Sequence, residues 1–132
     1  MNGHLVVGGL LSAASGLTDL VADRIYPDVM PDSPTYPAVT YQKIGGSSDR
    51  GAVSNPGLVM ATFQVSSWAK SRPAAAKIAR KIRSAIDRKR KITVSEVAVD
   101  DCFYESDVDH YDPATKIFFN HSTFRIHYRD PA

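Results

Sequence analysis

The stretch DDCFYESDVDHYD, residues 100–112, gathers Asp107, Asp109, His110 and Asp112. Carboxylates and an imidazole that converge can ligate a divalent metal or relay protons. Their spacings are also those of neighbouring residues along a strand or turn, and a solvated hairpin tip explains them as well as a metal-dependent enzyme does. His121 and His127 stand six apart in one strand-like run, on the same side and roughly 20 Å apart by strand rise, too far to share a ligand. Cys102 has no histidine in a local nucleophile motif, and Ser66 and Ser67 fall inside a strand rather than at a strained elbow. Gly8-Gly9 and Gly45-Gly46 lack the following Lys-Ser or Lys-Thr of a phosphate-cradling turn. The residues point away from an enzyme, and to no cofactor and no metal.

Charge is the stronger signal. Arg72, Lys77, Arg80, Lys81, Arg83, Arg88, Lys89, Arg90 and Lys91 hold nine of the 16 Lys and Arg, while Glu96, Asp100, Asp101, Glu105, Asp107, Asp109 and Asp112 follow with no cation between them. Such segregation serves either self-compensation within one chain or pairing of the basic helix with the acidic hairpin of a neighbouring copy. The net charge of +2 is far from that of a dedicated nucleic-acid binder but by itself decides nothing about partners, and no aromatic interleaving or recognition motif accompanies the basic run.

These residues must be positioned by a single domain, 1–132, whose 43% hydrophobic content suits one core. A lone cysteine precludes an intrachain disulfide and fits a reducing compartment. Leu10, Ala14, Leu17 and Val21 recur at helical spacing, so residues 8–23 read as a core helix, not a signal or a membrane span. Pro27, Pro31, Pro34 and Pro37 then hold the chain extended until a short strand opens over residues 38–44. Residues 45–57 read as a long polar loop, and Leu58 to Trp68 as a strand with Val59, Ala61, Phe63 and Val65 on one face. Ser71 caps a helix reaching Arg88, apolar through Ala75, Ile78, Ala79, Ile82, Ala85 and Ile86 and cationic opposite. Ile92 to Val99 reads as a third strand, residues 106–115 as an acidic turn, and Lys116 to Arg129 as a fourth strand with Phe118, Phe124, Ile126 and Tyr128 on one face. The expected fold is α+β: a mainly antiparallel four-stranded sheet with two helices on one face, in the order α-β-β-α-β-β. Its expected core is Phe63, Val65, Ile78, Ile82, Phe124 and Ile126.

Arg24-Ile25-Tyr26-Pro27, the strand from Pro37 to Tyr41, Phe63-Gln64-Val65 running to Trp68-Ala69, and the Ala-rich helix from Ala74 to Ile86 follow one another in an order that resembles the tail completion, or tail terminator, proteins of long-tailed phages and prophages. The resemblance covers roughly residues 10–90 and leaves out the acidic segment. It implies a virion structural protein without catalytic residues, made in the host cytoplasm and carried at the head-proximal end of the tail. It further implies a homo-oligomeric ring, often a hexamer, that ends the tail tube, meets the tube protein and the head connector or neck, and lets double-stranded DNA pass through its lumen without sequence-specific binding or membrane contact. A related ring protein of the head–tail neck is the alternative, and a small DNA-binding module using helix 73–91 is the rival from another class. On the ring reading the stiff segment docks as a pre-extended arm and the polar loop orders against a partner. The candidate subunit or partner interface is then Arg24, Tyr26, Pro27, Asp49, Arg50, Lys77, Arg80, Lys81, Asp107 and Asp109.

Overall fold

Alternation along Leu58–Ala69 and Ile117–Arg129 turns Ala61, Phe63 and Val65 of the first and Phe124, Ile126 and Tyr128 of the second to one side, where all six are buried. The two strands pair antiparallel with Phe63 opposite Phe124, and the other elements assemble around this seam. The computed structural model describes residues 2–48 and 58–129. In chain order its elements are α1 (Asn2–Ala13), α2 (Ser15–Val21), β1 (Ile25–Pro27), β2 (Ala38–Ser48), β3 (Leu58–Ala69), α3 (Arg72–Ile86), β4 (Arg90–Val94), β5 (Val97–Asp112) and β6 (Ile117–Arg129). The strands form one sheet in the order β1-β2-β3-β6-β5-β4. All neighbours are antiparallel except β1 and β2, which makes the sheet mixed.

The four-stranded sheet with two helices is therefore wrong: there are six strands and three helices, in the order α-α-β-β-β-α-β-β-β. Each departure has a local cause. The helix expected over 8–23 starts at Asn2 and is interrupted at Ala14, whose extended backbone (φ −84°, ψ 100°) lets Leu17 and Val21 turn onto the core. No single helix is long and apolar enough to cross a membrane, and α1 and α2 meet at a bend of 82°. Strand β1 is only three residues long and ends on Pro27, whose missing N–H is tolerated at a sheet edge. The run from Ile92 to Val99 is two strands, reversed at Ser95 and Glu96 with φ of 48° and 68°, the geometry of a primed two-residue turn. The expected acidic turn is mostly strand, since β5 continues to Asp112 and only residues 113–116 reverse the chain. There Asp112 caps the turn, accepting from Ala114 N (3.0 Å) and Thr115 Oγ1 (2.9 Å). The short strand expected at 38–44 continues to Ser48 through a bulge between Lys43 and Gly45, while the rest of the expected polar loop lies outside the described residues.

The core agrees with the sequence reading: Phe63, Val65, Ile82, Phe124 and Ile126 are fully buried and Ile78 is 2% exposed. Val6, Leu11, Leu17 and Val21 complete it from the two N-terminal helices. Helix α3 begins as its sequence dictates, with Ser71 Oγ accepting from Ala74 N (3.3 Å) and Pro73 in the first turn.

Two glycines let α1 come close. A Cβ at Gly8 would sit 2.6 Å from the Tyr41 hydroxyl, and one at Gly9 would sit 2.5 Å from Val94 Cγ1 and 3.1 Å from Ser95 Oγ. In an open helix Gly→Ala gains about 1 kcal/mol. At Gly9 the methyl meets a β-branched side chain stiff at χ1, and overpacking of that kind costs about 1–3 kcal/mol. Gly9→Ala is therefore expected to destabilise the fold in a denaturant melt, and a gain in stability would show that β4 yields to α1.

Candidate assembly interface

Helix α3 lies across the same sheet face as the acidic half of β5, so the two charge runs that are separate in sequence meet in space. Arg72, at the start of α3, pairs with Asp109 (3.2 Å) and donates to the carbonyls of His110 (2.7 Å) and Phe119 (3.3 Å). Its guanidinium stands 5.1 Å from the Phe118 ring centre, and that of Arg83, three turns on, stands 3.9 Å from the Tyr104 ring centre. Beneath them Asn120, 3% exposed, donates to Asp107 (2.9 Å) and Asp109 (2.8 Å) and accepts from Ser122 Oγ (2.7 Å). The Tyr104 hydroxyl donates to Asp107 as well. Hydrogen bonds from Tyr104 and Asn120 hold the Asp107 carboxyl below its ordinary range, with Arg83 adding to the effect, and the same bond raises the Tyr104 phenol. Arg80, Arg83, Asp107, Asp109 and Asn120 line a cleft of about 210 Å³ open to solvent.

Asp107 and Asp109 are thus engaged within their own chain, which favours self-compensation for that part of the charge pattern. Lys77, Arg80 and Lys81 are exposed on the outer side of α3, and among the described residues no ion pair within 4 Å uses them. Arg24 has an internal role: Nε donates to Pro37 O (2.9 Å), Nη2 reaches Leu20 O (3.5 Å), and its own carbonyl accepts from Val39 N (2.9 Å). It ties the end of α2 to the proline-paced segment. Tyr26 and Pro27 follow on β1, half-buried and exposed respectively. Asp49 and Arg50 lie outside the described residues.

The opposite sheet face carries a cluster the sequence reading missed. Phe119 stacks on Trp68 (4.6 Å, 24°) and on His110 (5.2 Å, 25°), and His121 lies 5.4 Å from His110. Ser66 Oγ meets His121 Nδ1 at 2.5 Å, and Trp68 Nε1 donates to Thr40 Oγ1 (2.9 Å). Only the register joins these residues, since Trp68, Phe119 and His110 come from three different strands, β3, β6 and β5. Burial and the neighbouring His110 lower the His121 pKa from its usual 6.5. Its preference for the neutral ring stabilises the fold at pH above the unfolded value of about 6.5, and that stability is lost as pH falls toward the folded value. An NMR titration is expected to place the His121 midpoint below 6.5, and a midpoint at or above it would contradict the desolvated setting.

Strand alternation separates His110 from Asp107 and Asp109, which face the helices, and among the described residues no three His, Cys, Asp or Glu side chains are placed to hold a metal. Cys102 is fully buried, and burial, with Asp101 and Asp87 nearby, pushes its thiol up to about 12, so it holds no thiolate at neutral pH.

A family model described as tail completion protein gp17 matches residues 7–129. No curated protein matches the sequence. Among solved structures, a chain from the "Virion of native gene transfer agent (GTA) particle" superposes with a TM-score of 0.70 at 16% identity, over 95% of this chain and 92% of that one. At that identity the likeness is one of fold.

Proposed function

The chain belongs to the tail completion protein gp17 family, and we propose from this membership that it closes into a ring that ends the tail tube and joins the tail to the head. It is a structural protein of the phage tail. The observation that carries the finer reading is the extent of the family match, residues 7–129, which takes in the acidic β5 and β6 as well as the RIYP and Ala-rich segments. In support, Lys77, Arg80 and Lys81 stand exposed on the outer side of α3 and, among the described residues, enter no ion pair within 4 Å, which leaves them available to a partner. The outer face of α3, with Lys77, Arg80 and Lys81, meets an acidic partner surface of the connector or a neighbouring subunit. Double-stranded DNA passes through the lumen without sequence readout.

Sedimentation velocity of the purified chain, alone and with its tail tube protein, tests the ring. Closed oligomers of one size, free or on the tube, are expected. A monomer under both conditions overturns the ring, and tight sequence-selective binding of duplex DNA would promote the DNA-module reading in its place.

A further inference from the structure

The ring reading leaves open which surfaces join, and the sheet itself carries two candidates. Strand β1 pairs with β2 only as far as Tyr41, and β4 pairs with β5 only as far as Asp101. The chain segment before β4 extends cover on β5 a little further, with Arg88 N donating to Cys102 O (2.8 Å) and Asp87 accepting from Tyr104 N (2.9 Å). Beyond these points, residues 42–48 of β2 and 105–112 of β5 form the outermost strands at opposite margins of the sheet.

The direction of their backbone groups follows from the register. Val39 N donates outward to Arg24 O (2.9 Å) and Tyr41 O accepts from Asp28 N (2.8 Å), so the next alternate residue, Lys43, also presents N–H and C=O outward. Because Val39 faces out, its partner Ser67 bonds onward to β6, where it pairs with Asn120; Asn120 bonds back to β3, and Asp109 opposite it on β5 faces out. Alternation then gives Asp107 and Tyr111 the same direction. Among the described residues no strand pairs with either margin beyond these points, and unpaired margins of this length are templates for strand addition.

Three further observations select the mate. Ile44 (51% exposed) lies on the β2 margin, and Val108 (49%) and Tyr111 (46%) lie on the β5 margin, so three of the five large exposed apolar side chains among the described residues sit on these two strips. The β5 margin holds Glu105, Asp107, Asp109 and Asp112 and no cation, so pairing two copies of it across a two-fold axis would oppose like charges. The β2 margin holds Lys43 and no acid. The other strand edges are poor templates, since β1 is three residues ending in proline and β4 is five residues opening on Arg90 and Lys91.

We propose that residues 42–48 of one copy and 105–112 of the next pair edge to edge, continuing the sheet from subunit to subunit. This rests on the ring reading and specifies its interface: main-chain hydrogen bonds bind, Ile44 packs toward Val108 or Tyr111, and Lys43 against the acidic strip sets polarity. The contact is heterologous, so it propagates head to tail and closes when the rotation allows.

Proline at an outward-facing position removes the intermolecular N–H while leaving the intrachain ladder intact. Lys43→Pro and Tyr111→Pro, each verified as folded by its thermal melt, are expected to sediment as monomers under conditions where the wild-type chain forms rings. An equimolar mixture is expected to give a one-to-one dimer of twice the chain mass and nothing larger, because each variant keeps the margin the other has lost. Ile44→Asp and Val108→Asp, which retain every backbone N–H, repeat the test if a proline variant does not fold. Rings formed by the single variants, or a mixture that stays monomeric, would overturn the edge pairing while wild-type rings keep the ring reading standing. A dimer formed by one variant alone would replace it with two-fold pairing of the remaining margin. A wild-type chain that is monomeric alone and on the tube removes the ring reading and this interface together.

Discussion

Replacing Phe124 by alanine is expected to lower the free energy of unfolding by about 3–5 kcal/mol, the range for emptying a buried aromatic site. The side chain is fully buried, stands opposite Phe63 at the central β3–β6 seam, and meets Tyr104 edge to face (5.9 Å, 68°). Neighbours on both sides are held by strands, so the hole cannot collapse by moving one loop. Domains of this size have only about 5–15 kcal/mol in total, which leaves the variant near its folding threshold. A denaturant melt with unchanged slope checks the value. A loss below about 1 kcal/mol would remove Phe124 from the core.

Asn120→Leu is the second large effect, and its signature is pH-dependent. The amide is 3% exposed, donates to Asp107 and Asp109, and accepts from Ser122, itself 3% exposed. A leucine of similar size leaves the Ser122 hydroxyl buried without that acceptor and strips a donor from each carboxylate, at about 1–3 kcal/mol. The Asp107 carboxyl has a folded pKa below its ordinary 3.8, with Tyr104 the first cause and Asn120 the second. Its contribution is present above the unfolded value and is lost as pH falls through the folded one. The gap between wild type and Asn120→Leu is therefore expected to be widest at neutral pH and to narrow in acid. A gap constant across that range would mean that Asn120 does not act through the carboxylates.

The same residues show what sequence can carry. Phe63, Val65, Ile78, Ile82, Phe124 and Ile126 were legible because burial follows periods of two and 3.6 residues wherever an element is long. The cap at Ser71 was legible because its chemistry is local. The turn at Ser95 and Glu96 was not, because both adopt positive φ with neither glycine nor asparagine to signal it. The break at Ala14 has no proline, and β1 is too short for any pattern. The acidic run reads as a turn because acids are poor strand formers, yet Arg72, Asn120 and Tyr104 supply partners from elsewhere in the chain that hold Asp107 and Asp109 in a strand. Pairings of that kind, like the Trp68, Phe119, His110 and His121 cluster, exist only once the register is known. The assembly surfaces are harder still, since the hydrogen bonds of Arg24 to Pro37 and Leu20 within its own chain appear only in the structure and the margin of a sheet has no sequence motif.

Electron microscopy of particles assembled without this chain tests its role in completing the tail most directly. Filled heads and separate tails, the tails irregular or overlong at their head-proximal ends, are expected, with joined particles restored when the purified chain is added back. Normal, joined particles of regular tail length in its absence would contradict a completion role.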